Sequence, residues 1–473
     1  MPQIFKPRKY QGRAIRFSFF RPFSGLFIDP GLGKTGIFLA VVKLCLLNKK
    51  NKGFLIVGPI NVIHTVWPEE IKKWAAFNGL TVSILHGPDK LQNLRKKADI
   101  YLINPEGLEW LFRVGLFRKP KKNWPFDGLI IDESSKFKNP SSKRFRILKK
   151  VRPAFNRVHI GTGSPAPNGL VDVWSQVYLL DEGASLGDKF GGFKTRYFEK
   201  GGYKEKQLFI RPGSSDSIKK RIAPAVLQMR DCDYLDLPPI VDHDISVMLP
   251  PKAQKFYDAL EQEHFSEWDG EDFYADSSPA KNMKLRQVAS GALYLDQDLD
   301  EARLSAFKRP HRVIHKAKIE ALKDLLDELA GKPLLLAYLF GHDLKEIRKA
   351  LGDVPYIGSG VKGNEVVKIR NNWNAGKYPL LLGQPASMGH GLNLQESTNH
   401  VGFFTLDHNL ENYEQFIRRV RRSGVVGDSV INHRFIASNT VEELVAANIA
   451  TKDAEQSDFK AALHEYRIRK FGV

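Results

Sequence analysis

Gly25-Leu-Phe-Ile28, then Asp29-Pro-Gly-Leu-Gly-Lys-Thr35, then the apolar run from Ile37 to Leu47 form the stretch whose reading decides the fold. The first run predicts a strand, the glycine-rich segment a turn, and the last run a helix. Glycines let backbone amides close around phosphate oxygens at a helix N-terminus, where the helix dipole also favours an anion. In that arrangement Pro30, Gly31, Leu32 and Gly33 form the phosphate loop. Lys34 reaches the β- and γ-phosphates of a nucleotide, and Thr35 holds Mg²⁺. The strict Gly-x-x-x-x-Gly-Lys-Thr pattern is broken at its first position, where Ile28 stands.

Working outward, short apolar runs alternate with helix-patterned segments up to about Gly163. Phe54-Leu-Ile-Val-Gly58, Val82-Ser-Ile-Leu85, Ile100-Tyr-Leu-Ile103, Leu129-Ile-Ile131 and Val158-His-Ile160 are the strand candidates. Near-continuous apolar strands separated by helices indicate a parallel sheet buried on both faces. A second alternation begins at Pro333, with strand candidates Leu334 to Leu339, Tyr378 to Leu382, Val401 to Thr405 and Ile431 to Ile436. Residues from about Asp181 to Pro310, rich in Gly-Gly and Pro-Pro pairs, read as helical insertions and a connection. The expected organisation is therefore α/β, with two parallel-sheet lobes and helical insertions between them. Its boundaries are 1–240 (insertion about 181–235), a helical linker over 241–310, and 311–473 with a C-terminal helix.

Two further segments carry chemistry. Leu129-Ile-Ile-Asp-Glu133 ends a strand in two carboxylates. Ligands of such sheets sit at the carboxyl ends of strands, so Asp132 is placed to hold Mg²⁺ and Glu133 to orient or deprotonate a water. A solvated strand end is the plain alternative. Glu411 to Arg422 reads as a helix bearing Gln415, Arg418, Arg419, Arg421 and Arg422. Arg419 and Arg422, three apart, share a face and could reach phosphates from another lobe. A basic surface helix touching nucleic acid is the other reading.

The chain has 473 residues, and roughly 150 per domain gives two to four domains. Lys plus Arg number 72 against 53 Asp plus Glu, a net charge of +19 that favours a polyanionic partner. Cys45 and Cys232 argue against a disulfide framework and read as small buried hydrophobes. His311 and His315 have metal-ligand spacing, but Arg312 stands where a zincin helix has Glu, so no zinc site is expected. Met1 to Arg21 lacks the apolar core of a signal peptide, and Ile37 to Leu47 is too short to span a bilayer. A cytoplasmic protein is expected.

Taken in order, these segments resemble the Swi/Snf branch of superfamily 2 helicases and translocases from about Lys6 to Lys452. Pro7-Arg-Lys-Tyr-Gln11 is similar to the adenine-reading Q motif, which assigns Tyr10 and Gln11 to the nucleotide. Asp29 to Thr35 is similar to motif I, and Ile56 to Ile60 with Trp67 and Trp74 to motif Ia. Asn104-Pro-Glu-Gly107 stands at motif Ib, Asp132-Glu-Ser-Ser135 at motif II, and Thr162-Gly-Ser-Pro165 with Asn168 at motif III. Trp373-Asn374 precedes Gly389-His-Gly-Leu-Asn-Leu394, similar to motif V, which adds Gly391 to the nucleotide site. Gln415 to Gly424 is similar to motif VI. Motif II has Ser134-Ser135 in place of Ala-His, motif VI has Arg418 and Arg421 for its glycine and histidine, and motif I is one residue short.

The resemblance implies two RecA-like lobes, ATP with Mg²⁺, and a monomeric DNA-dependent ATPase that tracks along double-stranded DNA, as in compact phage or bacterial members without flanking domains. Single-stranded DNA is a further candidate partner, and a membrane is not. Catalysis falls to Lys34, Asp132, Glu133, Gln415, Arg419 and Arg422. Nucleic-acid contacts fall to Pro59, Asn61, Asn104, Thr162, Gly163, Gln384 and Ser387. Trp373 reads as a core aromatic, with nucleic-acid contact as its alternative. Two competing functions stay open: a strand-separating helicase acting on forked DNA, with a hairpin over Glu199 to Leu208 as its only wedge, and a DNA-binding scaffold with a degraded ATPase.

Overall fold

Alternation along each strand explains the first layer of architecture. Phe54 and Ile56 pack on one side with Leu26, Ile28, Ile130 and the helix Lys34–Leu47, while Leu55 and Val57 pack on the other with Leu129, Ile131 and Val158. Successive side chains on a strand point to opposite faces, so an all-apolar strand needs cover on both. Each fully buried aliphatic side chain here contributes about 1.5–3 kcal/mol relative to exposure.

The computed structural model describes residues 2–60, 62–167, 169–201, 207–263, 265–268, 271–274, 278–295, 309–361, 363–388, 392–422 and 424–452. Asn61, Asn168 and the 389–391 stretch with Gly391 lie outside them. The described residues form two units, one running to Leu235 and one comprising Asp236–Met388 and Leu392–Thr451.

In the first unit the strands are β1 (Phe23–Ile28), β2 (Phe54–Val57), β3 (Val82–Ile84), β4 (Ile100–Ile103), β5 (Gly128–Asp132), β6 (Arg157–Thr162), β7 (Phe198–Gly201), β8 (Gln207–Ile210) and β9 (Val226–Met229). Seven of them form one sheet in the order β3-β4-β2-β5-β6-β1-β9, every neighbouring pair parallel. All seven carboxyl ends therefore lie on one edge. The helical insertion expected over 181–235 contains more than helices. After the helix Phe190–Tyr197, β7 and β8 pair antiparallel, Phe198 opposite Ile210, and β9 joins the main sheet beside β1.

The second unit adds β10 (Ile240–Val247), β11 (Phe265–Trp268), β12 (Glu271–Tyr274), β13 (Ala292–Tyr294), β14 (His311–Val313), β15 (Leu334–Ala337), β16 (Tyr356–Ile357), β17 (Leu380–Gly383), β18 (His400–Phe403) and β19 (Val430–Ala437). Six form a sheet ordered β10-β19-β18-β15-β17-β16, again all parallel. The stretch expected to be a helical linker thus supplies an edge strand, β10, registered with β19 along its whole length. Its exposed residues concealed it, because an edge strand need not be apolar on both faces. The helices Pro251–Glu263 and Ser278–Ser290 build a separate core with Tyr257, Leu260, Val288, Ile314 and Val441. Among the described residues no helix is long and apolar enough to cross a membrane. Cys45 is buried as expected, but Cys232 is exposed, in a turn between Asp231 and Asp233.

Candidate active site

The phosphate loop leaves β1 and ends in a helix whose N-cap, Gly33, has a left-handed backbone (φ 80°). Gly31 is left-handed too, at φ 91°, and both conformations penalise any side chain. Helix begins at Lys34, three residues before the apolar run that announced it, so Lys34 and Thr35 occupy its first turn. Space is reserved from outside as well. A Cβ at Gly33 would meet Gln11 Nε2 at 2.6 Å, and one at Gly163 would meet Pro30 Cδ at 2.7 Å. Gln11 donates from Nε2 to the Leu32 carbonyl at 3.1 Å and accepts from the Arg8 amide at 2.9 Å. Tyr10 is buried, its ring 4.7 Å from that of Tyr234. Lys34 Nζ donates to the Ile28 carbonyl at 2.6 Å.

Two strands away along the same edge, β5 ends in the carboxylate pair. Asp132 and Glu133 are both buried, at 6% and 7% exposure. Glu133 adopts a left-handed backbone (φ 63°), unusual for a non-glycine residue and a form of strain that concentrates at functional sites. Burial first, and the neighbouring Glu133 second, raise the Asp132 carboxyl to about 6, while Lys34 and a hydrogen bond from Trp67 oppose the rise. The buried Asp132 carboxyl, held up in this way beside a second carboxylate, is what a divalent cation would relieve. Mg²⁺ takes one or two carboxylates plus phosphate oxygens and waters, so Asp132 and Thr35 fit it without a third acidic ligand. Among the described residues no grouping of three His, Cys, Asp or Glu suited to a metal ion occurs.

Thr162 and Gly163, expected to touch nucleic acid, lie next to these groups. Both are buried, the Thr162 hydroxyl lies 3.4 Å from Glu133 Oε2, and Gly163 packs on Pro30 of the loop. Thr162 thus lies beside the carboxylates, and Gly163 beside the loop. Pro59 and Asn104, by contrast, are half-exposed at the ends of β2 and β4, and Asn104 donates to Glu106 at 3.0 Å.

Four contacts lie outside the sequence reading. The Trp67 indole donates to Asp132 Oδ2 at 3.0 Å. Ser134 donates to Gln176 Oε1 at 2.7 Å, and Gln176 Nε2 donates to the Pro165 carbonyl at 2.6 Å, joining the carboxylate turn to the next loop. Tyr234 faces Tyr10. Trp67 enters the sequence reading only through the segment similar to motif Ia, while Gln176 and Tyr234 carry no local signal.

In the second unit the helix Leu410–Ile417 is shorter than expected, and Arg418 to Arg422 follow it in turns. Its N-cap, Asn409, accepts from the Glu411 amide at 3.0 Å, and Gln415 donates to Glu411 Oε1 at 3.2 Å. The Arg419 and Val420 amides then bond carbonyls only three residues back, which tightens the chain out of α-helix. Arg419 is buried, with Nη1 3.5 Å from the Leu392 carbonyl. Arg422 donates to the Arg418 carbonyl at 2.8 Å and to Asn393 Oδ1. Partial burial, and Arg418 beside it, bring its guanidinium down to about 10, still charged at neutral pH. Arg421 instead bonds the Pro238 carbonyl at 2.8 Å. Trp373 is fully buried and donates to the Leu394 carbonyl at 3.0 Å, the core reading. Gln384 and Ser387 share a capped turn after β17, the Ser387 hydroxyl on Gln384 Oε1 at 2.6 Å.

The SNF2-related domain model matches residues 21–290. Protein p41 of Acyrthosiphon pisum secondary endosymbiont phage 1 is 33% identical over 96% of this chain and 98% of its own length. An ATP-dependent helicase of Mycoplasma genitalium is 26% identical over 94% of this chain, which spans 41% of that protein. The SWI2/SNF2 ATPase core of Sulfolobus solfataricus in complex with dsDNA aligns over 98% of both chains at 20% identity, with a TM-score of 0.44. The chain belongs to the SNF2-related family and carries its superfamily 2 DNA-dependent ATPase core.

Proposed function

We propose that the chain hydrolyses ATP to move along double-stranded DNA without separating its strands. The observation that carries the reading is the shared sheet edge in the first unit. Lys34, Thr35, Asp132 and Glu133 sit on the same edge as the half-exposed ends of β2 and β4, so a phosphate ligand and a polyanion would meet neighbouring loops. The loop amides and Lys34 would hold the triphosphate, and Thr35 and Asp132 would hold Mg²⁺, which would supply charge neutralisation at the transferred phosphoryl group. Glu133, steadied by Thr162, orients the attacking water. Arg419 and Arg422 would stabilise charge on the transferred phosphoryl group, and the change of state on hydrolysis would shift the grip on the backbone. Phosphate contacts position without reading sequence, which suits a motor carrying +19. The setting proposed is a single copy working in the cytoplasm of a bacterial or phage-infected cell.

Strand separation remains a second reading because the β7–β8 hairpin exposes Leu208, Phe209 and Ile210, at 38%, 49% and 39%. Two substrates separate the readings. The translocase displaces the third strand of a triplex and leaves a forked duplex paired. Efficient opening of the fork without triplex displacement would overturn the proposal in favour of the helicase.

A further inference from the structure

We propose that Trp67 is a positioning residue that couples duplex DNA bound at the end of β2 to the Mg²⁺-holding carboxylate, resting on the reading above. The segment after β2 has two sides. Ile60 and His64 are exposed and Pro59 and Thr65 half-exposed, whereas Val62, Ile63 and Trp67 are buried in the core that also holds the helix Lys34–Leu47. The segment is short and tightly wound: the Ile63 amide bonds the Pro59 carbonyl at 3.0 Å, Val62–Val66 is a π-helical turn, and the helix Trp67–Lys73 follows directly. π-Turns are rare and are found mostly at functional sites.

Its buried end terminates on Asp132. The indole N–H of Trp67 lies 3.0 Å from Asp132 Oδ2, with both groups withdrawn from water. At its other end, Gly58 has no side chain, and a Cβ there would already touch the Asp132 Cβ at 3.6 Å. The carboxylate is thus held by the Trp67 end of the segment whose outer face meets solvent, and the Gly58 end passes close beside the Asp132 side chain. Displacing the segment by a ligand on that face must move a donor that Asp132 depends on, in a site too dry for water to replace it. By thermodynamic linkage, any such effect of DNA on nucleotide affinity appears equally as an effect of nucleotide on DNA affinity.

The test measures that linkage. Affinity for a fluorescently labelled duplex is determined by anisotropy with and without a non-hydrolysable ATP analogue and Mg²⁺. The ratio of the two is the coupling factor, commonly about 5–150 for linked sites. Two variants are compared with the wild type: Trp67→Phe, and full-length protein with 3-benzothienylalanine at position 67, which keeps the bicyclic shape and replaces N–H by sulfur. The proposal expects the factor to fall to within about twofold of one in both, while duplex affinity without nucleotide stays within about threefold of wild type. The Mg²⁺ concentration that half-saturates nucleotide binding should rise in both. A wild-type factor retained by the benzothienyl protein would overturn the role of Trp67 and leave the motor reading intact. A parallel loss of DNA affinity and thermal stability in that isosteric protein would show a merely structural tryptophan. A factor of one in the wild type itself would remove the motor reading together with the coupling.

Discussion

At the residue scale, the proposed function has Glu133 and Lys34 divide the chemistry between them. Glu133 is neighbour to Asp132, strained at φ 63°, and within 3.4 Å of the Thr162 hydroxyl. Its amide counterpart keeps shape and most hydrogen bonds but cannot accept a proton. Glu133→Gln should therefore bind ATP as the wild type does and abolish turnover, whereas Lys34→Ala should weaken both binding and turnover. Equilibrium binding of a fluorescent ATP analogue beside steady-state ATPase distinguishes the two. Near-wild-type hydrolysis by Glu133→Gln in the presence of DNA would mean that another group handles the water. Lys34, Thr35 and Asp132 were legible in the sequence because local pattern alone sets them: strand, glycine turn, helix, and a strand ending in carboxylates. The bonds Trp67 to Asp132 and Ser134 to Gln176 were not, since each joins groups 65 and 42 residues apart whose meeting depends on strand order.

At the scale of elements, the arginine segment shows where pattern and structure part. A continuous helix to Arg422 would have put Arg419 and Arg422 on one face by periodicity. Instead the helix stops at Ile417, Val420 is fully buried, and the Leu394 amide bonds the Arg419 carbonyl at 3.2 Å. Three of the four arginines are thereby sorted by contact: Arg419 toward Leu392, Arg422 toward Asn393, and Arg421 toward Pro238. Loss of a transition-state contact lowers kcat with little change in KM. Arg422→Ala should cost at least ~10²-fold in DNA-stimulated kcat, below the ~10³–10⁵ of the strongest arginine fingers. Arg418→Ala and Arg421→Ala should cost much less and chiefly weaken DNA binding. Equal kcat defects in all four alanine variants, Arg419→Ala included, would reduce the segment to a basic patch. Central strands such as β2, β5 and β15 were readable from sequence because burial on both faces demands unbroken apolar runs. Strand β10 hid behind Asp242, His243 and Asp244, and β16, two residues long, was too short to leave a period.

At the scale of the whole molecule, two parallel sheets, a buried carboxylate pair and a charge of +19 are joined by one claim, that ATP turnover drives movement along a duplex. Electrostatic attraction to phosphates makes that movement salt-sensitive, with log affinity falling by roughly 0.9 per log unit of salt for each phosphate neutralised on B-form DNA. A walking motor stays engaged longer on a longer track and so spends more ATP in each encounter. A protein that needs DNA only to complete its active site gains nothing once one binding site is covered. The most direct measurement is steady-state ATPase at low salt on duplexes of increasing length, with the concentration of duplex ends held saturating. The account predicts a rate that keeps rising well beyond one footprint, and a rate that plateaus at the length of a single footprint would contradict it.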